Sequence, residues 1–167
     1  KDFSTTIQQT EAIINKYDIN DLKGDATLWL PYLKSRHLLS EALRSVDLKK
    51  AIELIERETH IDWEGITENN TELGDLYKSY GRCYYQVGQL QKAISYFDKA
   101  LEVKIKNHGK SNIDVAKLYN NLGAAHARLG NVNQEIENYE KSIDIKRDVI
   151  DDLEINMSFA RSLRNLA

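Results

Sequence analysis

The residues able to do chemistry are few here: four histidines, one cysteine, and a set of lysines, arginines and asparagines that recur at helical spacing. His37, His60, His108 and His126 are scattered, and no two share a helix face at metal-ligand spacing. The run His60-Ile-Asp-Trp-Glu64 has a metal-like look, but one loop with one His and two carboxylates is a common arrangement. His126 falls on a core position of the pattern described below and reads as a packed structural histidine. Cys83 follows Arg82, whose charge favours a thiolate, yet a lone cysteine beside an apolar stripe reads first as a small buried hydrophobe. One cysteine forms no intramolecular disulfide and no cysteine-built zinc site. There is no Gly-rich phosphate loop, no His-Glu-x-x-His and no Ser in a nucleophile elbow. The expectation is a chain that is not an enzyme and uses no cofactor and no metal.

The cations and amides are more coherent. Lys78, Arg82 and Tyr85 lie on one stripe, and Lys117, Asn120, Asn121 and Arg128 on the matching stripe further along. Arg36 and Arg44 extend it backwards and Arg161 and Arg164 forwards, with Asp75 the nearest carboxylate to interrupt it. The chain as a whole is slightly acidic, with 26 Asp and Glu against 23 Lys and Arg and a net charge of −3. A basic stripe in such a chain implies a ligand of opposite charge. Arginine forks grip carboxylates in two places at once, asparagine pairs with both N–H and C=O of an extended backbone, and a concave surface focuses the field of its cations. The stripe therefore points to an acidic, extended peptide segment. Nothing at the whole-chain level points to nucleic acid, no Lys/Arg block suggests a membrane surface, and no apolar run approaches the about 20 residues of a membrane span.

The elements that place this stripe follow from an internal repeat. Tyr77 to Leu101 reads YKSYGRCYYQVGQLQKAISYFDKAL, and 42 residues later Tyr119 to Ile143 reads YNNLGAAHARLGNVNQEIENYEKSI. This register puts Tyr77 on Tyr119, Gly81 on Gly123, Gly88 on Gly130, Ile94 on Ile136 and Phe97 on Tyr139. A backward shift finds a weaker copy in Leu38-Leu39, Val46, Leu48, Ala51-Ile52 and Ile55, lacking both glycines. Each copy reads as two helices. Tyr77, Tyr80, Gly81 and Tyr84 share one helix face, Gly88 ends that helix because only glycine enters the left-handed cap without steric cost, and Leu90, Ala93, Ile94, Phe97, Ala100 and Leu101 make the stripe of the next. Small residues at Gly81 and Ala93 let the pair approach closely. One pair cannot bury its stripes alone, so neighbouring pairs must stack.

Leu122-Gly123, Gly130 and Tyr139 in one copy, and Gly81, Tyr84, Gly88, Ala93, Phe97 and Ala100 in another, resemble the tetratricopeptide repeat signature. The family's usual period is about 34. A period of 42 and the stretch DVAKLYNNLG (Asp114 to Gly123) look more like the long-helix subclass of kinesin light chains, bacterial Rap-type regulators and repeat-bearing sensor kinases. The resemblance covers roughly residues 28–167. It implies an all-α fold, a right-handed superhelix of antiparallel helix pairs, whose inner groove binds peptides. It further implies that Lys78, Asn121 and Arg161 correspond to parts of the clamp that holds a C-terminal carboxylate, with Arg82 standing where that clamp has Asn.

The resulting organisation is one solenoid over 1–167: an N-terminal helix or cap at 1–24, a degenerate repeat at 25–70, repeats at 71–112 and 113–154, and the first helix of a further repeat at 155–167. That last helix is read from FARSLRNLA (Phe159 to Ala167), which echoes VAKLYNNLG (Val115 to Gly123) at an offset of 44. Ser4 and Asp25 are the expected N-caps of the first two helices, and linkers are expected at Asp18–Gly24, Thr59–Asn70, Asn107–Asn112 and Ile150–Asn156. Phe159, Leu163 and Leu166 predict a sticky C-terminal end with weak self-association. A chain that begins without Met and ends inside a helical pattern reads as a piece of a longer, cytoplasmic protein, or else as an extracytoplasmic sensor domain. The function expected is a non-catalytic protein-binding scaffold. The alternative is a regulatory domain of a kinase or transcription regulator that binds a peptide signal.

Overall fold

The computed structural model describes residues 3–16, 26–57 and 71–166, with side chains for all of these except 26–28 and 151–166. The described residues form seven helices and no strand: α1 (Phe3–Asn15), α2 (Ala26–Val46), α3 (Leu48–Glu56), α4 (Thr71–Gln86), α5 (Leu90–His108), α6 (Ile113–Leu129) and α7 (Val132–Leu166). They fall into two compact units, residues 1–107 and 108–167. In the first, α2 packs against α1, α3 and α4, and α3 also touches α4. In the second, α6 pairs with α7.

The turns follow from local chemistry. α4 gives way to α5 at Gly88, whose φ of 81° is left-handed, and α6 ends on Gly130 at φ 76°. Beyond each glycine the chain turns back: the Gln89 amide donates to the Tyr84 carbonyl and the Asn131 amide to that of His126, satisfying carbonyls the helix end leaves open. The degenerate copy has no glycine at this turn and makes it with one residue. Asp47, at φ −146° and ψ 84°, accepts from the Lys50 amide at 3.0 Å and so caps α3. Asn112 caps α6 in the same way through the Asp114 amide.

Close approach depends on the two helical glycines. A Cβ added at Gly81 would lie 2.6 Å from the Phe97 ring, and one at Gly123 would lie 2.8 Å from the Tyr139 ring. Phe97 and Ala93 are buried beneath α4, together with Leu73, Leu76, Tyr77, Tyr80 and Tyr84. Half-buried Tyr96 stacks on Tyr84 with ring centroids 5.5 Å apart and meets Tyr80 edge-on at 5.6 Å, geometries that add to simple area burial. Small residues also join α2 to α4: the buried Ser40 and Ser79 hydroxyls share a hydrogen bond at 2.6 Å, with Cys83 beside them.

Two expectations differ from what is seen. α7 runs without a break from Val132 to Leu166, through the Ile150–Asn156 stretch expected to be a linker. That stretch holds no Gly or Pro, and polar residues alone do not stop a helix. The helix expected to open a further repeat at 155 is therefore continuous with the one before it. α1 begins at Phe3, so Ser4 lies inside its first turn rather than capping it. Asp25 and the expected linkers Asp18–Gly24 and Thr59–Asn70 lie outside the described residues.

Gly123→Val should overpack the Tyr139 contact and Gly81→Val the Phe97 contact, each costing on the order of 1–3 kcal/mol. Urea denaturation followed by circular dichroism measures this. An unchanged midpoint would mean the paired helices do not approach so closely.

Candidate functional site

Helical spacing puts Lys34, His37, Glu41 and Arg44 along one face of α2, and Asp75, Lys78, Arg82 and Gln86 along one face of α4. The packing of α2 on α4 brings the two rows together. Arg82 donates from Nη1 to both Glu41 oxygens at 3.1 Å, and Arg44 donates from Nη2 to the same carboxylate at 3.0 Å. The other Arg44 arm, Nη1, donates to the Gln86 carbonyl oxygen at 3.3 Å. A turn away, Asp75 accepts from Lys78 on its own helix and, at 2.8 Å, from Lys104 on α5. Lys34 reaches Glu72 at 3.7 Å at the far end.

Lys104 reaches Asp75 because of a third glycine. The stem of Lys104 crosses α4 where a Cβ on Gly74 would sit 3.1 Å from its carbons, and only 2% of its side chain is exposed. A buried ammonium needs a partner held close. Burial works to raise the Asp75 carboxyl, but hydrogen bonds and charge from Lys104 and Lys78 outweigh it and hold it below its ordinary range. Between the two carboxylates sits His37. Its burial lowers its pKa, overcoming the pull of Asp75, Glu41 and Glu72, while Lys78 adds to the lowering. Its buried Nδ1 has no hydrogen-bond partner.

The sequence-predicted residues divide accordingly. Arg44, Lys78 and Arg82 come together on the α2–α4 face, with half-buried Tyr85 next to them on α4. Arg36 is buried, its guanidinium carbon 6.0 Å from the Tyr32 ring centroid, and it lines a cavity of about 180 Å³ between α1, α2 and α3. It does not belong to the row that His37 and Glu41 occupy. In the second unit Lys117 pairs with Asp114 at 3.0 Å, Asn120 and Arg128 are exposed, and Asn121 is half-buried, all on α6. Arg161 and Arg164 lie on α7 where side chains are not described.

Glu41, His37, Lys104 and Gly74 are the members that sequence reasoning missed. The carboxylates are the main correction: Asp75 is no isolated interruption, because Glu41 stands between the two arginines. Gly74 did carry a signal, seven residues before Gly81 on the same helix face. Cys83 is fully buried, and burial together with the Glu41 charge pushes its thiol up to about 12, against the smaller opposing effects of Arg44 and Arg82. His126 is half-buried rather than a core residue, with Nδ1 3.4 Å from the Asn131 amide nitrogen. His60 lies outside the described residues, and among those described no cluster of three metal-ligating side chains occurs.

Two helix pairs with left-handed glycine turns and glycine-mediated contacts agree with one comparison of sequence. Residues 72–148 match the family model for the tetratricopeptide repeat. Over this stretch the chain is similar to the tetratricopeptide repeat family. The fold agrees with it: the crystal structure of BtubC (BKLC) from P. vanneervenii superposes with a TM-score of 0.60 at 16% identity, over 87% of this chain and 57% of that one. Such a likeness speaks for an all-α helical-repeat fold alone. Among curated proteins none matches the sequence. Tetratricopeptide repeats generally mediate protein–protein interaction as non-catalytic scaffolds. No helix among the described residues is long and apolar enough to cross a membrane.

Removing the Asp75 charge should leave Lys104 buried without its anion, so Asp75→Asn should cost about 3 kcal/mol. Because the folded-state pKa of Asp75 is depressed, its stabilisation is present above about pH 4 and lost as pH falls through the lower folded value. His37 acts in the same direction nearer neutrality: its folded pKa is lowered, so stability declines as pH falls below about 6.5. Denaturation midpoints between pH 3 and 8, compared with those of Asp75→Asn and His37→Gln, should show each slope flatten in its own variant.

Proposed function

We propose that the chain is a protein-interaction scaffold whose α2–α4 face receives an extended acidic segment of a partner. The observation that carries this reading is the charge of the face. Among the described residues Lys34, Arg44, Lys78, Arg82 and Lys104 pair with Glu41, Glu72 and Asp75, five cations to three carboxylates in a chain of net charge −3. Such a local excess attracts anions and fades with salt. In the second unit, Lys117, Asn120, Asn121 and Arg128 on α6 are cations and amides of the same kind.

Binding of a fluorescein-labelled glutamate-rich peptide tests this, with a lysine-rich peptide as the comparison. Neutralising Lys78 and Arg82 together (Lys78→Gln with Arg82→Gln) should weaken the acidic peptide roughly tenfold while far-UV dichroism stays unchanged. Binding of the wild type should also weaken steadily with added salt. If the double variant binds as well as the wild type, this face is not the site.

The C-terminal helix favours a second contact, with another copy of the chain. Val132, Ile136, Ile143 and Ile150 are half or more exposed, at 57%, 50%, 54% and 54%. At ~100° per residue they fall within about 40° of arc, one continuous apolar stripe along α7. One repeat earlier, Leu90 is buried and Ile94 and Leu101 are half-buried, so these positions normally lie under a neighbour. Weak self-association through α7 follows, because an uncovered stripe of this kind invites partners. Sedimentation across a concentration series should show reversible dimer formation that Ile143→Glu abolishes. A wild type that stays monomeric at high concentration would rule it out.

A further inference from the structure

Glu41 occupies the place a partner's carboxylate would take. Two arginines from different helices converge on it, Arg82 from α4 and Arg44 from α2, and its side chain is largely covered. Neither arginine is held in its strongest mode. Both Arg82 contacts use the single nitrogen Nη1 instead of two parallel N–H donors, and 42% of that side chain is exposed. Arg44 offers only Nη2 to the carboxylate, and its Nε is buried with no hydrogen-bond partner. Two-pronged pairing with a carboxylate is the stronger geometry, so these guanidiniums retain capacity that Glu41 does not use. Glu41 and Arg44 stand three residues apart on α2, a local pair of modest strength that a better-placed anion can displace.

We infer that Glu41 is a built-in place-holder for the ligand carboxylate: it closes the Arg44–Arg82 pair when no partner is present, and an acidic partner segment must displace it to bind. This rests on the α2–α4 face being the peptide site. Glu41 thereby sets specificity as well as affinity. A ligand with one isolated acidic group competes poorly with a tethered carboxylate, whereas a segment with several neighbouring acids gains contacts at Lys78 and Lys34 as it replaces it. Asp75, a turn away from the pair, is held apart from the exchange by its own hydrogen bond from Lys104.

Two measurements on the whole chain decide this, each on wild type and on Glu41→Gln, with Glu41→Ala as a second variant should the amide refill the gap. The first needs no ligand. Phenylglyoxal modification read by mass spectrometry should rise several-fold at Arg82 and Arg44 in the variants relative to exposed Arg128. The second is titration with the glutamate-rich peptide, which should bind the variants about threefold to tenfold more tightly than wild type. Unchanged arginine reactivity overturns the place-holder, whatever the peptide does. Faster arginine reaction with equal or weaker peptide binding also overturns it but leaves the peptide face standing. Faster reaction with no acidic peptide bound to any form overturns both.

Discussion

Where α4 crosses α5 there is no room for a methyl group between the Gly81 backbone and the Phe97 ring, and the remainder of the first unit is arranged around that closeness. Because the helices lie so near, Tyr77, Tyr80 and Tyr84 can surround Tyr96 with their rings, and the α4 face turned away from α5 is free to pack on α2. The same spacing is used again at Gly123 and Tyr139 in the second unit. A glycine costs about 1 kcal/mol of helix propensity relative to alanine, so its use three times inside helices, at Gly74, Gly81 and Gly123, marks contacts worth more than that cost.

The polar side of α2 and α4 obeys a different constraint. A row of like charges on two touching helices would repel, and the packing removes that repulsion by setting Glu41 and Asp75 among the cations. Lys104 is the deepest of these charges and stands on the core side of the row, whereas Lys78 and Arg82 stand on its outer side. Two of the three clusters carry one net positive charge and the third is neutral, so the face stays positive in sum while each cation keeps an anion beside it.

Much of the fold was legible in the sequence because glycine has a local and nearly unique meaning. Gly88 and Gly130 announce a left-handed turn, and Gly81 and Gly123 announce a close contact, whatever else the chain does. The site was less legible because it depends on where a helix points. A rotation of one residue separates Arg36, buried against Tyr32, from His37 and the Glu41 row. Glu41 is silent in the sequence because its main partner lies 41 residues away on another helix, and Lys104 because a lysine stem is long enough to reach a neighbour that spacing rules assign to no one. The continuous α7 had left a trace: the C-terminal echo is offset by 44 residues instead of 42, which breaks the phase a further repeat would keep.

The passage of Lys104 beneath Gly74 has a consequence for the order in which the first unit assembles. An ammonium group cannot enter that gap without shedding its water, and it sheds water only if Asp75 is already facing it. Closure of α5 onto α4 at this point and the formation of the ion pair are therefore coupled, because neither is favourable without the other. The unit acquires its seam only when synthesis has passed residue 104.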